Sequence, residues 1–232
     1  MDFLYKYENK IKHSDLDLYD RLSPWAILEL FQEAAYTHVI EQECGYSSML
    51  EKNALWVLIS VRFDYLDYKV DASVEVNTWQ AKRGRAEFIR GYELLSNGKR
   101  VVIGSSKWCL IDKDERRILP ASLAGSDISG TYIDLPEITK LIFDRPKELK
   151  DKVKVDKCLI DHNYHLNNCH YARMIYNAIE LDKDYIKSFE ISFLNEAVYN
   201  DEITIYSEKR DNCWYVEGCI LDKICFKAKV EV

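Results

Sequence analysis

The sequence predicts an α+β chain built twice on one plan, each half a short lead-in, one long helix and about four antiparallel strands. Three observations carry this. Apolar and polar residues alternate in many short runs, the period of a strand with one buried face. Two segments break that alternation with helical spacing. The order of segments then repeats, and the two lead-ins, Asp15-Leu-Asp-Leu-Tyr and Asp161-His-Asn-Tyr-His, start 146 residues apart. A sheet wrapped around one helix hides a sheet face and most of the helix, so two such units in one chain point to an internal duplication.

In chain order, the first helix runs from Ser23 to about Cys44. Ser23 suits the N-cap, Pro24 the first helical position and Gly45 the closing position. Ile27, Leu28, Phe31, Ala34, Ala35 and Val39 give it an apolar face. Strands follow at 59–65, 73–81, 86–95 and 101–111. Ser96-Asn97-Gly98 marks a hairpin turn, because Asn-Gly takes up positive φ readily. Residues 131–150, with Pro136 and Pro146 and few periodic apolar positions, read as the connector. The second helix spans about Asn168 to Glu180, with Tyr171, Met174, Ile175, Ala178 and Ile179 on one face. Its strands lie at 189–193, 202–208, 213–220 and 224–232. The domains are therefore residues 1–135 and residues 136–232, the latter including connector 136–150.

Composition narrows the function. The 232 residues carry 32 basic and 39 acidic side chains, a formal net charge of −7, which argues against bulk nucleic-acid binding. Only 8 glycines occur, and neither G-x-G-x-x-G nor G-x-x-x-x-G-K-[ST] is found, so a nucleotide-binding fold is not expected. No stretch approaches the roughly 20 apolar residues of a membrane span. The start, MDFLYKYENKIKHSD, has no apolar core of a signal peptide. The chain reads as cytoplasmic, without membrane association. Cys44, Cys109, Cys158, Cys169, Cys213, Cys219 and Cys225 are scattered and form no C-x-x-C. They read as small hydrophobes in a reducing compartment, and neither a zinc site nor a cofactor is expected.

Three of the five histidines, His162, His165 and His170, fall within nine residues just before the second helix. Free N–H groups and the positive end of the helix dipole are available there. Such a place can stabilise an oxyanion, and an imidazole beside it can take a proton from water. Other readings stand beside this one. The Asp and Asn residues could simply cap the helix. His162 and His170 could be surface or packing residues. His162, His165 and Asp161 match no standard metal spacing.

The stretch Asp161-His-Asn-Tyr-His-Leu-Asn-Asn-Cys-His-Tyr171 resembles the D-x-N-x-H-x-N-N-x-x-Y motif of the fatty acyl-ACP thioesterases of plants and bacteria. Gln32-Glu33-Ala34-Ala35, Trp56-Val57-Leu58, Asn77-Thr78-Trp79 and Ser106-Lys107-Trp108 resemble further landmarks of that family, in the same order. The resemblance implies a double hotdog fold, two antiparallel sheets each wrapped around a long helix. It implies hydrolysis of acyl-acyl carrier protein to free fatty acid, with acyl carrier protein as partner. Its functional residues map onto Asp161, Asn163, His165 and, after the next strand, Glu196. Many plant members follow that glutamate with a cysteine; Ala197 stands here, so a cysteine nucleophile has no candidate at that place.

The expected mechanism is water attack assisted by His165 and Glu196, with N–H groups of the second helix polarising the carbonyl. Asn163 would position water or imidazole. Asp161 would anchor the loop or share the base role. In the 146-residue register Tyr19 stands where the first half would need its histidine, so that half is expected to be non-catalytic and to hold the acyl chain. Lys82-Arg83-Gly84-Arg85, Lys99-Arg100 and Arg116-Arg117 are candidate docking patches for the acidic carrier, and a homodimer is expected. The rivals are an acyl-CoA thioesterase, a non-catalytic acyl-binding module and a dehydratase of similar fold; the last pairs its histidine with a carboxylate on a helix, a pattern not seen here.

Overall fold

The computed structural model describes residues 4–125, 127–181 and 185–232. The chain divides into two compact units. One takes the chain up to Leu22 and Glu29–Ile138; the other takes Ser23–Leu28 and Thr139–Val232.

The first unit contains β1 (Tyr5–Lys10), most of α1 (Pro24–Glu41), α2 (Tyr46–Glu51), β2 (Ala54–Tyr65), β3 (Ser73–Arg83), β4 (Glu87–Ser96), β5 (Lys99–Asp112) and the short β6 (Ile118–Leu119). Its strands run antiparallel in the order β1-β3-β4-β5-β2, with β6 on β5. Asn97 and Gly98 form the two-residue turn between β4 and β5, both at positive φ, closed by the Ser96–Lys99 pair. Phe31 of α1 stacks on Tyr92 at 4.2 Å and meets Phe63 edge-on at 6.3 Å. A Cβ at Gly104 would lie 2.4 Å from the Phe31 ring, so β5 passes under that ring only as glycine.

Ser23 caps α1, its hydroxyl accepting the Ala26 N–H at 3.3 Å. The C-terminus differs from expectation. The helix ends at Glu41, and Glu43 takes the left-handed conformation at φ 55°. The Cys44 N–H reaches the Val39 carbonyl and the Glu43 N–H that of Ile40, a Schellman closure. Gly45 instead opens α2 at φ −70°. It is needed for space, since a Cβ there would meet Ile40 Cγ1 at 2.9 Å. The six-residue α2 was not foreseen, because it is too short for a periodic signal; Met49 ties it to a core of Cys44, Ala54, Phe88 and Leu110.

The second unit contains β7 (Glu148–Lys154), α3 (Asn168–Asn177), β8 (Ser188–Phe193), β9 (Glu202–Arg210), β10 (Cys213–Ile220) and β11 (Lys223–Glu231), in the order β8-β11-β10-β9-β7. Tyr171 of α3 packs edge-on against Phe193 and Phe226 at 5.5 and 5.4 Å. Ser207 donates to the Ala178 carbonyl at 2.6 Å and closes the helix end.

The residues read as a plain connector are a strap. In the first unit the Gly130 N–H reaches the Gln80 carbonyl, Tyr132 packs on Trp79, and Ser105 and Arg62 hold the Pro136 and Glu137 carbonyls. In the second, Glu190 accepts from Thr139, Lys227 holds the Phe143 carbonyl, and Glu217 pairs with Arg145 at 2.6 Å. Strand carboxylates Glu93, Glu190 and Glu217 are buried for this reason. The strap uses carbonyls and polar side chains, so hydrophobic periodicity could not reveal it.

Candidate active site

The segment from Ile160 to Asn167 is a loop tied to itself. The Asp161 N–H reaches the His165 carbonyl at 2.8 Å, and the Tyr164 N–H reaches the Asp161 carbonyl. Asp161 Oδ1 accepts the N–H groups of Asn163 and His165, at 2.8 and 3.3 Å. This carboxylate folds the loop, as Asp side chains do in turns. Tyr164 sits at its tip at φ 66°. Asn167 caps α3, its side chain accepting the Cys169 N–H at 3.0 Å.

Glu196 arrives from elsewhere in the chain. After β8, the Leu194 and Asn195 N–H groups bond to the Cys225 carbonyl, and the Asn195 amide donates to the Ile224 carbonyl at 2.6 Å. The Leu166 N–H then takes the Ala197 carbonyl at 2.8 Å, and His165 faces Val198 in a single antiparallel bridge. This pairing brings His165 Nε2 within 3.3 Å of Glu196 Oε2. Their side chains are 28% and 41% exposed, so water reaches both. A solvent-reached polar contact of this kind adds at most about 1 kcal/mol to stability, so folding alone does not call for this arrangement.

The first turn of α3 is less open than expected. The Cys169 N–H is taken by the Asn167 side chain and the His170 N–H by the Asn167 carbonyl. The Asn168 N–H has no partner among the described residues. Asn163 is half-buried, and its side-chain amide makes no hydrogen bond among the described residues. His162 is exposed. His170 is half-buried, its Nδ1 without a partner among the described residues; burial, then Arg173, hold its pKa below the ordinary imidazole value. No three His, Cys, Asp or Glu side chains converge as metal ligands among the described residues.

The first unit carries the same loop with different side chains, and it corrects the register. The Asp17 N–H reaches the Arg21 carbonyl, and Asp17 Oδ1 accepts the Tyr19 and Arg21 N–H groups. Asp20 takes the left-handed conformation at φ 57°, Leu16 bridges Leu22 as Ile160 bridges Leu166, and Ser23 caps as Asn167 does. The repeat offset is thus 144 residues. Arg21, and not Tyr19, corresponds to His165. Its guanidinium Nε bonds Asp17 Oδ2 at 2.9 Å, both side chains being buried. The 146-residue register aligned the first aspartate of each lead-in; only hydrogen bonding identifies Asp17 as the partner of Asp161.

Two residues of the site escaped sequence reasoning. Asn195 anchors the Glu196 segment, a role set by the distant Ile224 and carrying no local signal. Asp201 accepts the Val198 N–H at 2.8 Å; the Asn200-Asp201 turn, with Asn200 at φ 73°, was the available clue.

A family model described as the acyl-ACP thioesterase N-terminal domain matches residues 2–122, more than half of the chain. The chain belongs to the acyl-ACP thioesterase family. Among solved structures, this family member is similar to an acyl-ACP thioesterase from Bacteroides thetaiotaomicron VPI-5482, at 20% identity and a TM-score of 0.87. That match covers 98% of this chain and 97% of the other. It is also similar to the 12:0-ACP thioesterase from Umbellularia californica, at 16% identity and a TM-score of 0.84, covering 100% and 97%. These likenesses show the double hotdog fold. No curated protein matches by sequence. The family match falls on the first repeat of this thioesterase-family chain, whereas His165 and Glu196 lie in the second. No helix among the described residues is long and apolar enough to cross a membrane.

Proposed function

We propose that this protein hydrolyses the thioester joining a fatty acyl chain to acyl carrier protein, releasing the fatty acid and the carrier's thiol. The observation that supports this is the 3.3 Å approach of His165 and Glu196 beside the start of α3. His165, oriented by Glu196, takes a proton from water as the oxygen attacks the thioester carbonyl carbon. The Asn168 N–H is the donor offered to the developing oxyanion. Collapse of the tetrahedral species breaks the C–S bond, and the imidazolium returns its proton to the leaving thiolate. Asn163, with its side-chain amide uncommitted, positions the water or the imidazole. Asp161 is assigned to the loop, its Oδ1 accepting two N–H groups.

The first repeat, with Arg21 locked to Asp17 in place of a histidine, is assigned no chemistry, and its interior is assigned to the acyl chain. Thiol release from acyl carrier protein and from the same acyl group on coenzyme A tests the reading. His165→Ala and Glu196→Gln, shown to be folded, should lose about 10²- to 10⁴-fold in rate. Rates within a few-fold of the unaltered protein would dismiss the residue assignment. A preference for the coenzyme A thioester would dismiss the carrier.

A further inference from the structure

Resting on that reading, we infer that the acidic carrier, with its anionic phosphopantetheine arm, docks on an apolar rim centred on Tyr164 and flanked by lysines of the second unit. Tyr164 lies between Asn163 and His165, at the tip of the loop that carries both. The residue is 81% exposed on a left-handed backbone. A bulky residue there costs on the order of 1 kcal/mol, and with so little of the residue buried, packing offsets little of it. The equivalent tip of the first repeat is Asp20, a residue that tolerates this conformation. Leu221, at the β10–β11 turn, repeats the oddity: φ 54° and 90% exposed.

Leu194, Val198 and Tyr199 are also exposed and sit on the segment that carries Glu196. The Cys225 and Ile224 carbonyls tie that segment to the strand following the Leu221 turn. Lysines at this end of the sheet offer partners to an anionic visitor. Lys154, Lys157 and Lys223 have no carboxylate within ion-pair distance among the described residues, and Lys157 stands 5.5 Å over the Tyr199 ring. Of the nearby acids, Asp201 is committed to the Val198 N–H, Glu202 to Lys152 and Glu196 to His165, while the exposed Asp156 and Asp222 stand next to Lys157 and Lys223 in the chain.

Four members of the basic clusters singled out in the first repeat are engaged internally, whereas Lys82 and Arg85 are exposed. Arg83 holds the Gly125 and Ala121 carbonyls, Arg100 pairs with Glu93, Lys99 with Asp67 and Arg117 with Glu115.

The test compares kcat/KM for an acyl carrier protein thioester with that for the same acyl group on N-acetylcysteamine, which has neither carrier nor phosphate. In Tyr164→Asn the ratio of the two should fall about five-fold or more, the size of an interface anchor. Its unfolding midpoint should stay level or rise, because asparagine accepts the left-handed backbone. Lys157→Glu should lower the same ratio, with the loss shrinking as salt is added. A ratio unchanged in Tyr164→Asn overturns the docking surface while leaving the hydrolytic reading intact. A wild-type protein that hydrolyses neither thioester overturns both.

Discussion

At the scale of single residues, the proposed chemistry rests on side chains whose positions serve folding poorly. His165 and Glu196 form a solvent-reached pair, and Asn163 leaves its amide uncommitted. The buried groups nearby are the opposite. Cys169 is 6% exposed within the first turn of α3, its N–H capped by Asn167. It abuts the motif without belonging to it. Cys169→Ala should therefore leave kcat within about two-fold while lowering stability by about 1 kcal/mol, the order of a small truncation in a core. Thiol-release kinetics and a urea titration check this. A large loss of kcat would restore nucleophilic catalysis by that thiol. Asp161, Asn163 and His165 could be proposed from the sequence because all three lie within one short motif. Arg21 was not, because its equivalence to His165 appears only in the Asp17 hydrogen bonds.

At the scale of elements, α3 depends on its ends. It has only 10 residues, marginal for a helix without tertiary support. Asn167 supplies its N-cap and Ser207 its C-terminal partner. Asn167→Ala should destabilise the protein by about 1 kcal/mol, within the usual range for a lost cap. It should also lower kcat, since the freed Cys169 N–H and a frayed first turn disturb the donor beside His165. Parallel measurement of the urea midpoint and of thiol release separates the two effects; a shift in neither would leave the cap without weight. Most strands were legible to within a few residues, as at 73–81 within β3 and 202–208 within β9, although β2 begins at Ala54, five residues before the expected 59–65. β1 and β7 were not. The alternation of β7, Glu148–Lys154, is formed by lysines and acids, and only Leu149 and Val153 interrupt it.

At the scale of the whole molecule, the first repeat hides a titrating group that the proposed reaction does not use. His38 is 2% exposed, stacked on Tyr5, with Nδ1 accepting from Arg90 at 2.9 Å. Burial, and then the Arg90 charge, push its pKa down to about 4 from 6.5. Protonating Nδ1 would cancel the Arg90 hydrogen bond and set two cations together. The unfolded chain binds that proton near pH 6.5 and the folded one only near pH 4. Its contribution is thus complete above pH 6.5 and is lost as pH falls through that window, by about 2 kcal/mol at pH 5. Urea midpoints at pH 7 and pH 5 should fall more for the unaltered protein than for His38→Gln. Equal slopes would show that His38 does not titrate in this way.

What the sequence determined by itself was whatever neighbours a few residues apart decide: the two helices, the alternating strands, the Asn97-Gly98 turn and the D-x-N-x-H loop. Tertiary structure alone decided which distant groups meet. The Ala197 carbonyl on the Leu166 N–H brings Glu196 to His165, and the strap closes over Glu93, Glu190 and Glu217. The physical reason is range. Periodicity and turn chemistry are written into adjacent side chains, whereas the pairing of segments thirty or more residues apart depends on how every strand between them is registered.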